Sequence, residues 1–460
     1  MEAELHLKRK LGLWTAVFAV FASMIGSGIF GTSGHVLALV NDPTLTIGLW
    51  VFYGLTALAG ALCYAELAAE LPHPGGEYVY IRHVFGKLPA FLTGWVSFMV
   101  GFAAPAAASA FLAGDYTLEL LKIVAPDAAF TALFATSSGQ KIFAISIIIL
   151  FSIVHSLEIE KGSAIQNALT MLKLLIIFIF LAAGFGVALN GVSVTPAEYQ
   201  LEGSPDWKGM GLGMLLVLYA YSGWNGASYL AGEVKNPEKN VPRALFWGTL
   251  LTTIIYILIN LLYFLVIPAA ELLGQQTPAA MTVERLYGSG ISTAFNAAFA
   301  IILLSSVSAQ IMIGPRVYYA MARDGNFFKY AGVINKKFHT PVTSIFLQGG
   351  LSIIYVLTGT FYTVLIYMGF ALSIFPVVTM LALMKLRKTQ AKDKTIKKGP
   401  QLYKTPFYPL LPIFFILVSI YLMVFSFIQN WKSCMFAVTV VLLGIPVYYG
   451  WQKYKSPAVN

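Results

Sequence analysis

Apolar residues in this chain come in long runs, and short polar stretches part them. Twelve such runs are read, at 11–38, 45–68, 88–114, 140–158, 163–189, 210–232, 243–267, 291–321, 341–358, 361–385, 408–429 and 433–452. A run of ~20 apolar residues is long enough to cross a bilayer as a helix. A transmembrane barrel would instead alternate over ~10-residue segments, and no such alternation is seen. The seventh run, RALFWGTLLTTIIYILINLLYFLVIP, and the eleventh, LLPIFFILVSIYLMVFSFIQ, are the clearest. The basic KRK before the first run imitates a secretory leader. That run continues past the roughly 7–15 apolar residues of a leader, so it is read as an uncleaved first span.

Two runs are weakened in the middle. The first contains MIGSGIFGTSG, with Gly26, Gly28, Gly31 and Gly34 close together. Each glycine costs a helix interior roughly 1 kcal/mol relative to alanine. The sixth contains Ser222, Gly223, Asn225 and Gly226 near its centre. Each break opens a block of five runs. Five is odd, so the two blocks would enter the membrane from opposite sides, the pattern of an inverted repeat with two discontinuous helices at the midplane. The expected organisation is a single transmembrane domain over 1–460: repeat one at about 11–189, repeat two at about 210–385, and two further helices at about 408–452.

Irregular backbone at membrane depth is tolerated where it is buried in protein or lines a cavity. The freed N–H groups of the following half-helix favour an anion, and the freed carbonyls accept from a cation. A zwitterion suits both. The competing reading is close packing of helices through small residues; a single glycine-rich run would favour it, and the second break favours a site.

Composition agrees with a membrane protein. Of 460 residues, 58% are hydrophobic and 11% charged, against about 25% charged in soluble domains. With twelve spans both termini share a side. That side carries 24 Lys and Arg, the opposite loops carry five, and Lys173 lies inside the fifth run. Positive residues mark the cytoplasmic side, so both termini are expected there, in the plasma (inner) membrane. This bias accounts for the net charge of +10 without nucleic acid. The run KLRKTQAKDKTIKK reads as a topology-setting loop, with anionic-lipid contact secondary. Cys63 and Cys434 both fall in apolar runs, so redox compartment is not legible from them.

At this point the residues carry a resemblance. IGSGIF in run one, GGEYVYI after run two, Gly94–Trp95 in run three and GEVKNPEKNVPRAL after run six resemble the amino acid–polyamine–organocation superfamily. YAYSGWN, KNPEKNVPRA and NALTMLKLL look most like its L-type amino acid transporter branch and bacterial relatives. The resemblance implies an all-α LeuT-like fold of twelve transmembrane helices, a 5+5 inverted repeat with discontinuous helices 1 and 6. It places Ile25, Gly26, Ser27 and Gly28 at the substrate carboxylate and Tyr219 at an aromatic gate. Ala220, Tyr221, Ser222 and Gly223 then lie near the substrate amine, with Trp224 and Asn225 beyond. Lys173 matches a lysine that stands where sodium-dependent cousins bind an ion. L-type light chains carry a loop cysteine for a heavy chain. The loop GDYTLELLKIVAPDAAFTALFATSSGQK has none, so no disulfide-linked heavy chain is expected.

Lys173 is the sharpest single feature. A lysine at a helix centre costs about 2.5–3.5 kcal/mol on insertion scales. It serves as a proton site, as a replacement for a bound cation, or as a structural donor to helix-end carbonyls. The expected neighbours are the broken backbone of run one and Ser305, Ser306 and Ser308. Tyr219 is a gate or a core aromatic; Asn225 bonds substrate or its partner helix. Glu66, Glu70, Glu233, His155 and Arg316 are read as structural. Neither break carries an acidic residue, which disfavours polyamines and favours neutral amino acids. No metal cluster or nucleophile–base pair is legible, so no enzyme, metal or cofactor is expected, and a channel's repeated filter loop is missing from the sequence. The expectation is a secondary transporter of neutral L-amino acids working by sodium-independent exchange (antiport). Proton symport and a sensor on the same fold stand as alternatives.

Overall fold

The computed structural model describes residue 7 and residues 9–157, 159–191, 195–359, 361–392, 403–429 and 431–454. Lys8, Lys394, Lys397, Lys398 and Lys455 of the charge bias lie outside the described residues. Among those described the secondary structure is helical, with one isolated bridge between Leu11 and Val234.

The first apolar run forms α1 (Leu13–Met24), α2 (Ser27–Gly31) and α3 (Ser33–Val40). Asn41 then takes a left-handed conformation, and the Asp42 carboxylate accepts from the Leu45 amide at 2.8 Å. That cap, with Pro43 in the first turn, starts α4 (Pro43–Glu70). A short helix, α5 (Glu77–Phe85), precedes α6 (Lys87–Val96), which runs through a π turn at Ser97–Gly101 into α7 (Ala103–Val124). There follow α8 (Ala129–Ala135), α9 (Ser137–Ser156), α10 (Ile159–Ala188), α11 (Pro196–Tyr199) and the sixth run, split into α12 (Trp207–Ala220) and α13 (Gly226–Tyr229). Beyond it lie α14 (Pro237–Val266), α15 (Ala269–Leu272), α16 (Pro278–Ile313, kinked at Gly288), α17 (Pro315–Arg323), α18 (Val342–Thr358), α19 (Phe361–Lys392), α20 (Leu410–Gln429) and α21 (Trp431–Tyr454).

Eight helical stretches among the described residues are long and apolar enough to cross a membrane. Of the other expected runs, α12 and α18 are apolar but shorter. The remaining two form α19 and α21, helices with some side chains outside the described set. Both interrupted runs are broken where the glycines predict. The loops near 115–139 and 268–290 carry the short helices α8 and α15.

The packing is graded. The stretches α1–α2, α6–α7 and α16–α17 are the most buried, while α9, α10 and α20 are the least. The outer helices expose large apolar side chains such as Phe178, Leu417, Val424 and Ile428. A soluble protein does not leave patches of that kind in water. Inside, α14 lies along α4 and α1, α16 along α7 and α10, and α18 along α9. The second run therefore pairs with the seventh, the third with the eighth and the fourth with the ninth.

On the N-terminal side the ends of these helices are joined by polar ties, two of them around buried glutamates. Arg316 Nε donates to Glu233 Oε1 at 2.8 Å, and its second arm reaches Oε2 at 3.2 Å, with side chains 3% and 0% exposed. Glu66 accepts from Arg387 at 2.8 and 2.6 Å, and Glu70 from Lys404 at 2.7 Å. His155 Nε2 shares a hydrogen bond with Ser308 at 2.8 Å. All five residues that the sequence reading kept as structural make such ties. Removing one partner of a buried pair strands the other charge at a cost of about 3–5 kcal/mol. Arg316→Met should therefore lower the melting temperature of the detergent-purified protein clearly. The double variant Arg316→Met with Glu233→Gln should recover most of the loss. Equal melting of Arg316→Met and parent would show that the pair does not hold these helices together.

Candidate functional site

Breaking a helix inside apolar surroundings frees carbonyls that need donors. The first break answers that demand group by group. The Ser23 carbonyl accepts from Gln310 Nε2 at 3.3 Å. The Met24 carbonyl accepts from the hydroxyl of Tyr256. The Ile25 carbonyl accepts from Lys173 Nζ at 2.6 Å and from the Ser306 hydroxyl at 2.7 Å; the same ammonium donates to Ser306 Oγ at 2.9 Å. Lys173 is fully buried, and among the described residues its ammonium donates to these two neutral oxygens. The broken backbone and Ser306 are the neighbours that the sequence reading names for it. Ser305 instead lies beside Gln166, and Ser308 beside His155.

The second break leans on the first. Tyr256 Oη also stands 2.9 Å from the Ala220 carbonyl, the end of α12. One hydroxyl thus sits between the C-terminal ends of two half-helices. Tyr221 Oη donates to the Trp50 carbonyl at 2.8 Å. Gly223 has φ +95°, a conformation that favours glycine, and a Cβ there would meet the Ser23 carbonyl oxygen at 2.8 Å. On the far side of the breaks, the hydroxyls of Ser27 and Tyr219 are hydrogen-bonded. A Cβ on Gly28 would stand 2.3 Å from the Ala220 Cα. In this conformation, then, Gly28 is a contact between α2 and α12: the space next to it is taken by Ala220. Gly34 is likewise closed over, its carbonyl accepting from the Gly274 amide at 2.9 Å.

On the N-terminal side a cleft opens beneath the breaks, with a cavity volume of about 80 Å³. Its wall includes Ser23, Ser222, Gly223, Trp224, Asn225 and Gln310, together with the π turn through Ser97 and Gly101. A second cavity of about 50 Å³ lies behind Trp224, between α4, α12, α19 and α20, and shares Tyr221's neighbours Ser222 and Trp224 with the region of the cleft. Trp224 is held as a partition. Its ring packs edge-on to Tyr64 at 4.7 Å and to Phe415 at 5.8 Å between ring centres.

Of the residues singled out from sequence, Ser222, Gly223, Trp224 and Asn225 line the cleft. Ile25, Gly26, Ser27, Gly28, Tyr219, Ala220 and Tyr221 surround the breaks just above it, Tyr221 facing the second cavity. Two residues at the site were missed. Tyr256 is a lone tyrosine in the threonine–isoleucine stretch TTIIYILIN, and its polar tip in a mostly apolar run is its only local signal. Glu77, in GGEYVYI, lines the cleft and accepts from Asn225 Nδ2 at 2.7 Å. Neither break carries an acid in sequence, yet the fold brings one to the second break from the segment after α4. Both cysteines are free and buried.

Comparison with known proteins gives the family. Residues 11–445 match the family described as amino acid permease. The chain is 30% identical over 456 residues to the serine/threonine exchanger SteT of Bacillus subtilis (strain 168), covering 98% of each chain. It is 29% identical over 453 residues to the b(0,+)-type amino acid transporter 1 of Mus musculus, covering 98% of this chain and 89% of that one. To the large neutral amino acids transporter small subunit 2 of Homo sapiens it is 28% identical over 453 residues, covering 96% and 80%. With two helices broken at one depth, their ends capped by buried donors above a cleft, this chain belongs to the amino acid permease family of membrane transporters.

Proposed function

We propose that this protein is a secondary transporter of neutral L-amino acids that works by sodium-independent exchange. The observation that carries the reading is the buried ammonium of Lys173 on the Ile25 carbonyl. An ammonium there occupies the carbonyl a bound cation would need, so the first break is held without sodium. The amino acid's carboxylate would face the N–H groups that open α2, at Ser27 and Gly28, and its ammonium the carbonyls around Ala220–Gly223. Tyr219, bonded to Ser27 above them, serves as the outer gate. With that gate shut and the cleft below open, the conformation corresponds to an inward-facing state of alternating access. The relatives' names, an exchanger and several amino acid transporters, support exchange over sensing and over enzymatic chemistry.

The same reading includes twelve spans in a LeuT-like 5+5 inverted repeat, supported by the two matched breaks and by the pairing of α4 with α14, α7 with α16 and α9 with α18. It includes both termini in the cytoplasm, from the bias of 24 to five Lys and Arg. It includes a chain that works without a disulfide-linked partner, since Cys63 and Cys434 are buried. Proton symport is the second reading, favoured by one observation: the ammonium of Lys173 is buried against neutral oxygens with no carboxylate at hydrogen-bonding distance among the described residues.

Proteoliposomes loaded with one amino acid at a time, with and without sodium and a pH gradient, test the reading. Uptake should require an amino acid inside and be unaffected by sodium; strict sodium dependence overturns it. Lys173→Ala should lower exchange at least tenfold without unfolding the protein, because the Ile25 carbonyl loses its charged donor. Lys173→Arg should not restore it, since a planar fork does not replace a compact point charge. Unchanged exchange in Lys173→Ala would remove the lysine from the mechanism. Tyr219→Ala should slow exchange more than Tyr219→Phe. Phenylalanine keeps the occluding ring and forfeits one hydrogen bond, a net loss of about 1 kcal/mol or roughly fivefold. Equal, small effects of both variants would make Tyr219 a packing residue.

A further inference from the structure

The cleft contains one charge that nothing above uses. Three glutamates are buried in the described structure: Glu66, Glu77 and Glu233. Glu66 faces Arg387 and Lys404, and Glu233 faces Arg316. Glu77 has no such partner among the described residues. Its Oε1 accepts from Tyr64 Oη at 2.7 Å and from Asn225 Nδ2 at 2.7 Å, and Asn225 Nδ2 is also 3.0 Å from Tyr229 Oη. One carboxylate oxygen therefore joins α4, α5 and the second break through neutral donors.

The charged groups of the surrounding elements are engaged elsewhere. Arg82, on Glu77's own helix, pairs with Asp324 beyond α17. Lys385 of α19 donates to the Val84 carbonyl at 3.1 Å and lies over the Phe85 ring, at the other end of α5. Glu233 and Arg316, past α13, bond each other. The titratable groups that do face the carboxylate are tyrosines: Tyr64 from α4, Tyr229 from α13 and Tyr80 from its own helix. Burial pushes the Glu77 carboxyl up to about 7, against the pull of the bonds from Tyr64, Asn225 and Tyr229.

We propose that Glu77 is a proton-binding site in the wall of the cleft, and that a proton taken up there loosens the second break from α5 and speeds exchange. As an anion, Glu77 makes charge-assisted bonds, roughly twice as strong as neutral ones, and fixes Asn225 at the start of α13. Protonation converts them to neutral bonds. The proton arrives through the cleft and returns to it. It is bound and released on one side, so it is not carried across.

This inference rests on the transporter reading of the cleft, and two measurements keep the two separable. The first is the melting temperature of the purified full chain as a function of pH, which needs no substrate. A carboxyl whose folded pKa lies above its unfolded value of 4.5 binds its proton more tightly in the folded state. Its contribution therefore makes the protein more stable as pH falls from about 8 to about 5. Glu77→Gln should lose that rise, and Tyr64→Phe, which removes a donor to the anion, should move its midpoint to higher pH. The second is homoexchange of radiolabelled L-serine in proteoliposomes with equal pH on both sides and a trapped pH dye. The parent should quicken several-fold between pH 8 and 6 without moving protons across. Glu77→Gln should be fast and flat over the range. A Glu77→Gln protein with the parent's pH profile in both measurements overturns the proposal. If that variant does not fold, a midpoint unmoved in Tyr64→Phe overturns it. A pH-dependent melting temperature that Glu77→Gln abolishes, in a parent that exchanges no amino acid, would sink the transporter reading and leave the proton site standing.

Discussion

A carbonyl freed inside an apolar bundle must find a donor, and the architecture around the two breaks follows from that demand. Leaving such a group unpaired costs about 1–3 kcal/mol, and the first break frees three in a row. Lys173, Ser306, Tyr256 and Gln310 supply the donors from three different helices. Those helices, α10, α14 and α16, are thereby fixed around α1. The lysine's own burial is offset by the same bonds. The helix defect and the buried cation, each unfavourable alone, are tolerable together.

Much of this was legible along the chain. Apolar periodicity gives the helices, and the glycines near residues 26 and 223 give the places where two of them stop. Lys173 and Ser306 could be paired because a lysine deep in an apolar run must have a partner, and polar residues at that depth are few. Tyr256 and Glu77 escaped because their local signals, a polar tip in an apolar run and an acid within a motif, do not say what they touch. Tyr256 acts on carbonyls of residues 24 and 220, and Glu77 on a side chain at 225, separations that only the folded chain closes. Gly28 shows another limit. From sequence, a missing side chain signals either a ligand's space or a neighbouring backbone. Here the backbone of Ala220 takes the space, while four residues further along the second break open the cleft.

The buried charges divide by role. Glu66 and Glu233 meet arginines at helix ends, where a planar guanidinium offers two parallel bonds. Lys173 and Glu77 meet only neutral groups, and both stand at a break. Ion pairs of the first kind hold a fold in one arrangement. Charges of the second kind depend on dipoles and hydroxyls, which keep their value only while the backbone nearby holds its shape.

Leu11 lies just before α1, and its amide and carbonyl bond Glu233 and Lys235 beyond α13, at 2.9 and 2.8 Å. At the upper ends of the same elements, Tyr256 spans the termini of α1 and α12. The lower half of the first broken helix is thus pinned to the second at both its foot and its head, like two rungs joining two rails. Sliding one rail past the other would break the backbone bonds at the foot, worth about 1 kcal/mol each, whereas tilting both together keeps those bonds and strains only the donors that α10, α14 and α16 supply at the head. The foot of the pair therefore travels as one piece, and any movement of it is resisted at the head, by donors that belong to the surrounding helices.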